Sequence, residues 1–365
     1  MLTLKRIIEV KLVTDFINDC DTRKIITHSE DEIWKKAIKE KTSAFHIPLT
    51  LEEDIIALIK PIESEVFDWM EDHDGIFTTE QKYSLKFCFN ADGTVDRVKT
   101  ADSLIHSKWL DEKTRFVLAC QYLSSMDILS FFKKMNSSVR LLFLLQYSKA
   151  NENFNAFEEN VVRWVQQYKA KHMFESKSMC WCPIWFNWTS ASLQSRLLDH
   201  LLEDDCIVFL DHVFENTNKV HLARFCMFRM SVEYREDLLK RFPLKVLRIY
   251  LSWPCHHFFL DAANKVWDLL PGNHFFCLLH IIICQKIVDL WEDFDYVELL
   301  RQFWRRSPDH LKQCVEGTDI FEILMEIVKH GFHQKDAPRH FFLHANGYYN
   351  VARCDYLIYK IIKHQ

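Results

Sequence analysis

Apolar residues recur along most of the chain with the period of an amphipathic α-helix. Between Ile320 and Val328, apolar side chains stand at positions i, i+1, i+3, i+4, i+7 and i+8, which places them on one face of a helix. Residues 157–168 and 193–202 follow a similar spacing. Prolines lie at or just beyond the ends of such segments, where they end one helix or begin the next. The pattern predicts an all-α fold of roughly fifteen short helices joined by short connections.

One segment departs from this period. Residues 83–90 alternate imperfectly between apolar and polar side chains and are rich in aromatic residues. The turn sequence Ala91-Asp92-Gly93 follows, and a second short run comes after it. A glycine-containing turn between two such runs is typical of a β-hairpin. We therefore predict one small hairpin over residues 83–97.

The helical pattern and the predicted hairpin divide the chain into three regions. They are an acidic N-terminal helical unit (1–75), the hairpin insertion (76–97) and a helical array (98–365). No proline- or serine-rich linker separates the regions, so we expect them to pack together.

A short motif recurs in the predicted array: an acidic residue, Ile or Leu, Leu, two variable residues and a large apolar residue. It begins at Asp127, Asp237, Glu298 and Glu322. The copies are unequally spaced, which excludes a fixed repeat period. Two interpretations stay open. Ordinary amphipathic helices give this pattern, and so does an irregular, solenoid-like array of helix pairs of the ankyrin, TPR or HEAT type.

Four short stretches carry a resemblance to a known family. They are Leu2–Leu12, Asp92–Arg97, Lys99–Thr100 and Arg115–Cys120. In these stretches the chain resembles multi-copy, all-helical proteins encoded in spider genomes. The resemblance implies a helical, intracellular protein from a lineage-expanded family. Because the matched residues are structural, the resemblance assigns no catalytic or binding residue.

Glycine and proline are scarce, at 6 and 8 of 365 residues. A β-sandwich or barrel needs frequent turn residues, so this composition argues against both classes. The glycine-containing motifs of dinucleotide-binding, P-loop and serine hydrolase proteins do not occur in the chain, which excludes those signatures. We accordingly predict no cofactor.

The net charge is −5, and it is unevenly distributed. Residues 1–75 carry 10 basic and 17 acidic side chains. Nucleic-acid binding requires a basic face, so we expect no nucleic-acid partner. The longest apolar run, Phe275–Cys284, is far shorter than the roughly 20 residues of a membrane span. The 12 cysteines lie in apolar stretches, as free thiols do in a reducing compartment. We expect a cytoplasmic protein with no membrane partner.

Two groups of residues are candidates for contact with a protein partner. Three closely spaced tryptophans form either a packed junction or an exposed aromatic anchor. An acidic stretch forms a surface that attracts a basic partner or simply keeps the protein soluble. The candidate residues are Trp181, Trp185 and Trp188 in the first group and Glu63, Glu65, Asp68 and Glu71 in the second.

Histidines near the C-terminus are the candidate metal ligands. His330, His333, His340 and His344 lie close together in the sequence, and the last two have the i, i+4 spacing of a helical ligand pair. Phe341 stands where a zinc protease motif has its glutamate. Ordinary surface or capping histidines are the alternative interpretation.

Cys277, His280 and Cys284 share one face of a predicted helix. Sulfur and imidazole ligands on one face are suited to zinc. The residues between them are apolar, and a helix that is apolar on all sides is typical of a buried core. We therefore expect these three residues to pack in the core.

The sequence favours a non-catalytic, protein-binding scaffold or adaptor whose partner is a protein. Two alternatives remain. One is a metal-dependent enzyme that uses the C-terminal histidines, and the other is an obligate subunit of a larger helical assembly. The oligomeric state is left open.

Overall fold

The computed structural model describes residues 3–174, 188–318 and 320–329. Within these ranges the chain is mostly helical, with twenty α-helices and no β-strand. The prediction of an all-α fold is confirmed, and the helices outnumber the expectation. None of the helices in the described ranges combines the length and the apolar composition that crossing a bilayer requires.

The chain divides into two compact units, Met1–Val208 and Phe209–Gln365. The predicted regions 1–75 and 76–97 both fall within the first unit. The predicted array, 98–365, is shared between the two units.

Eleven helices precede the boundary between the units, and a twelfth spans it. They are α1 (Leu4–Asn18), α2 (Cys20–His28), α3 (Asp31–Ala44), α4 (Leu49–Asp72), α5 (Thr79–Ser84), α6 (Arg97–Ile105), α7 (Glu112–Gln121), α8 (Ser125–Lys134), α9 (Ser137–Gln146), α10 (Ala156–Phe174), α11 (Ser190–Leu193) and α12 (Glu203–Asn216). Several begin at a residue whose side chain accepts a hydrogen bond from the backbone N–H three residues on. These N-caps are Thr3, Asp19, Thr78, Asp96 and Asp111.

The core of the first unit contains two aromatic clusters. In one, α1 packs against the long helix α4, and Trp69 meets Phe87 edge to face at 5.4 Å between ring centroids. In the other, Phe116 lies 4.7 Å from Phe143 and 5.2 Å from Trp164, again edge to face. These contacts tie α9 and α10 to α7.

The hairpin predicted over 83–97 is not confirmed, because the described residues form only one antiparallel bridge there, between Phe89 and Val95. The backbone of Phe87 is paired with a side chain instead of a strand. The Asn18 amide donates to the Phe87 carbonyl at 2.9 Å, and its oxygen accepts from the Phe87 N–H at 2.8 Å. Thr100 accepts from the N–H of Cys88 in the same way at 2.9 Å.

The periodic segment 193–202 is also interrupted. Instead of one helix, α11 ends at Leu193, and a short 3₁₀ turn covers Leu197–His200. Leu193, Leu197 and Leu198 still enter the core, whereas Leu202 is 76% exposed. Polar residues between the buried leucines bond to other helices. Gln194 donates to the Asp72 carboxylate at 3.1 Å, and Arg196 pairs with Asp102 at 2.6 Å. These partners lie on two different helices, Asp72 on α4 and Asp102 on α6.

Eight further helices follow in the second unit. They are α13 (Val220–Arg229), α14 (Val232–Arg241), α15 (Pro243–Tyr250), α16 (Phe259–Asn264), α17 (Gly272–His280), α18 (Tyr296–Arg306), α19 (Asp309–Gln313) and α20 (Phe321–Lys329). The core of this unit is built around Phe303, whose ring centroid lies 5.0 Å from Phe259 and 5.1 Å from Phe275. The helical patterns at 157–168 and 320–328 correspond to α10 and α20.

Helix α17 continues into a π-helical segment, Ile281–Val288. Residues 277–284 are buried without exception, so the expectation that Cys277, His280 and Cys284 belong to the core is confirmed. The Cys284 Sγ lies 3.4 Å from the His280 Nδ1. No group of three or more potential metal ligands is present among the described residues.

Candidate protein-binding surface

Helix α9 is apolar on two opposite sides. On the inner side, Phe143 packs against Phe116 and lies 4.7 Å from Tyr147 between ring centroids. Both Phe143 and Tyr147 are buried. This inner side provides the packing that holds the helix in the first unit.

The outer side of α9 carries three leucines that face solvent, and Val139, one turn before Phe143, is partly exposed at the edge of that side. Val139 is 48% exposed, Leu141 60%, Leu142 66% and Leu145 63%. The spacing of the three leucines, i, i+1 and i+4, groups them within about one helical turn. We call these four residues the α9 face. A surface helix usually turns polar side chains to solvent, so an exposed apolar side opposite a buried one is unusual.

Three polar contacts fix the position of α9. The Asn136 side chain caps the helix by accepting from the N–H of Ser138 at 2.9 Å. The Arg140 guanidinium donates to the Lys133 and Met135 carbonyls, at 2.7 and 2.9 Å, and so joins α9 to the end of α8. From α10, the Lys169 ammonium donates to the Leu144 carbonyl at 3.2 Å. The α9 face is therefore presented on an anchored helix.

The acidic residues singled out in the sequence do not form one continuous surface. Of the four on α4, Glu65 is only 8% exposed, Glu63 and Asp68 are half-buried, and Glu71 is exposed. Burial, followed by the negative charge of Asp68, raises the pKa of Glu63. The expectation of an acidic surface is thus corrected for Glu65, whereas a role of the others in partner binding stays a prediction.

The tryptophan and histidine candidates lie mostly outside the described residues. This applies to Trp181, Trp185, His330, His333, His340 and His344. Trp188 is described, just before the capping residue Thr189, and is 41% exposed. Partner binding through the tryptophans and metal binding through the histidines both stay predictions.

The first unit contains a buried ionic network that the sequence patterns did not indicate. Arg97 pairs with Asp72 at 2.7 Å, and the Asp72 side chain is completely buried. Gln194 donates to the same carboxylate. The partners of Asp72 lie 25 and 122 residues away in the chain, so local spacing contains no signal for the network.

A second buried polar cluster follows the π-helical segment. The Tyr296 hydroxyl lies 2.8 Å from the His256 Nε2 and 3.2 Å from an Asp293 oxygen. The Lys286 ammonium lies 3.4 Å from the centroid of the Trp291 ring. Burial lowers the pKa of Lys286 to about 8, while Asp293 acts in the opposite direction. Because these side chains are enclosed in the core, we assign them a structural role.

Comparison with known proteins provides no further guide. No protein family model, curated protein or solved structure matches the chain. The resemblance to proteins encoded in spider genomes therefore stays a prediction. The functional argument rests on the surface of the molecule, where the α9 face is an exposed apolar cluster that packing within the unit does not explain.

Proposed function

We propose that this chain is a non-catalytic protein-binding scaffold or adaptor and that the α9 face is its binding surface. One observation supports the proposal above others: three leucines, each at least 60% exposed, lie together on a helix whose opposite side is buried. Soluble monomers rarely expose contiguous apolar patches larger than a few hundred Å², and the largest patch that they expose is often functional.

The size of the hydrophobic contribution is consistent with specific binding. Burying a leucine side chain completely stabilises a complex by about 1.5 to 3 kcal/mol. The exposed fractions of Leu141, Leu142 and Leu145 together then supply on the order of 3 to 6 kcal/mol. That contribution is a substantial part of the roughly 8 kcal/mol of a micromolar complex.

An obligate subunit of a larger helical assembly is the second candidate, because the α9 face serves a permanent interface equally well. The two candidates differ in the behaviour of the isolated chain. An adaptor is a soluble monomer when it is alone, whereas an obligate subunit aggregates or forms an oligomer through its apolar face.

We further propose that the helices form an irregular array of helix pairs and that the protein is cytoplasmic. Successive helices pack on each other from α1 to α4, from α6 to α8 and from α13 to α15, which supports the first proposal. The described cysteines are free thiols, which supports a reducing compartment.

Site-specific photo-crosslinking tests the binding proposal. A photoreactive amino acid replaces Leu142 in the full chain, and the protein is exposed to an extract of its source tissue. We expect an adduct that maps to one segment of one partner and that disappears when Leu145→Glu is added, because a charge at that position opposes apolar contact.

The matched control carries the photoreactive group at Leu49, which is 77% exposed on α4. Two outcomes contradict the proposal. In the first, positions 49 and 142 give adducts of equal yield and pattern. In the second, the adduct at Leu142 persists when Leu145→Glu is added. Thermal unfolding of each variant checks that the chain remains folded.

A further inference from the structure

The charged residues nearest the α9 face in the chain are basic. The first acidic residues on either side are Asp127, whose carboxylate lies 3.0 Å from His106, and the exposed Glu152. Lys133 and Lys134 end α8, just before the face, and Lys149 follows the end of α9. All three are exposed. Residues 128–151 contain four basic residues and no acidic one. The apolar face is therefore bordered by positive charge at both ends.

These lysines differ from others in the same unit. Lys5 pairs with Asp54, Lys82 with Asp74 and Lys60 with Asp31, each at 2.7 Å or less. In the described part of the chain, Lys133, Lys134 and Lys149 form no ion pair. Exposed charges of one sign attract and orient a partner that carries the opposite sign.

The shape of the surface also restricts the partner. The leucines form a short convex ridge on a helix of ten residues, about 15 Å long. Such a ridge packs into the groove between side chains of another helix. A complementary helix has an apolar stripe for the leucines and acidic residues beside it for the lysines.

We infer that the α9 face binds an acidic amphipathic helix of a partner protein, with leucines 141, 142 and 145 against its apolar stripe and Lys133, Lys134 and Lys149 against its carboxylates. This inference rests on the proposed function and adds the chemistry of the partner. An anionic membrane carries the same charge. It is disfavoured because membrane-surface helices present a long apolar face, whereas the leucines of α9 lie within about one turn.

Binding of designed peptides to the full chain tests the inference. One peptide is an amphipathic helix of about 18 residues, or five turns, with leucines on one side and glutamates beside them. The other has lysine in place of every glutamate. We expect the acidic peptide to bind at least about tenfold more tightly by fluorescence anisotropy, with a preference that weakens as salt rises.

Two double variants locate the effect. Lys133→Glu with Lys134→Glu is expected to remove or reverse the preference for the acidic peptide. Lys36→Glu with Lys39→Glu changes the same charge at exposed positions of α3 and is expected to keep the preference. Leu142→Glu is expected to abolish binding of both peptides.

Several outcomes overturn the inference. The first is equal affinity of the chain for the two peptides. The second is a preference for the acidic peptide that persists in the Lys133→Glu, Lys134→Glu double variant. The third is binding of the chain to phosphatidylserine vesicles without binding to either peptide. If, in one of these cases, the crosslink at Leu142 still forms and is lost with Leu145→Glu, the α9 face binds a partner that is not an acidic helix. The inference is then wrong, but the proposed function stands. Loss of the crosslink as well overturns the proposed function.

Discussion

Individual buried side chains determine how the first unit responds to acid. His73 is completely buried, with its Nδ1 2.6 Å from the Trp69 carbonyl and its Nε2 3.0 Å from the Tyr122 hydroxyl. Burial lowers the pKa of His73 to about 3. In the unfolded chain a histidine has a pKa of about 6.5, so the unfolded state binds a proton that the folded state excludes.

The expected result is a loss of stability in acid that depends on His73. Its contribution is complete above pH 6.5 and falls as the pH drops towards 3, by about 1.4 kcal/mol per pH unit. In His73→Gln, whose amide stays neutral, this pH dependence disappears. The free energy of unfolding of the original chain therefore falls towards that of His73→Gln, and the difference between the two decreases by about 2 to 3 kcal/mol from pH 6.5 to 4.5.

Hydrogen exchange of the α4 amides at several pH values measures this difference within the first unit. His73→Gln is less stable than the original chain at neutral pH, because the stacking of His73 on Trp69, at 3.7 Å between centroids, is lost. If the difference in stability between the original chain and His73→Gln is the same at every pH, burial of a neutral His73 does not explain the loss of stability in acid.

The local sequence predicts a helix or turn correctly where the backbone N–H and C=O groups of that segment form hydrogen bonds with each other. The segments 157–168 and 320–328 are helical as their apolar spacing predicts, because the hydrogen bonds of a helix join residues only four positions apart in the chain. The hairpin predicted at 83–97 is not confirmed beyond the single bridge between Phe89 and Val95, and the backbone of Phe87 pairs instead with the side chain of Asn18, 69 residues away in the chain. Neither propensity nor turn chemistry indicates such a distant partner.

Replacing Asn18 tests this arrangement. Asn18→Leu keeps a similar size but removes both hydrogen bonds to the Phe87 backbone, leaving a donor and an acceptor without partners. We expect the free energy of unfolding to fall by about 2 to 4 kcal/mol. Urea unfolding measures the change.

Lys11→Met provides the control, because it removes an exposed ion pair with Asp15 and is expected to change stability by less than about 1 kcal/mol. Equal effects of Asn18→Leu and Lys11→Met contradict the role given to Asn18.

For the molecule as a whole, the sequence predicts the all-α fold class and the burial of Cys277, His280 and Cys284, but not the exposure of the α9 face. Residues 141–145 are a continuous apolar run, and such a run predicts burial. Its exposure depends on which side of α9 packs against Phe116, which is a property of the assembled unit. The tryptophan and acidic candidates came from the clustering of similar residues in the sequence, and such clustering does not reveal which side chains are exposed.

The central claim is that the α9 face is an interface. Its most direct test is the dissociation constant of the full chain for the partner segment identified by crosslinking at Leu142. Leu142→Glu is expected to weaken binding by about 30- to 100-fold, as loss of a central apolar contact does. Leu49→Glu is expected to change binding by less than about twofold. Equal affinity of the original chain and the Leu142→Glu variant contradicts the account.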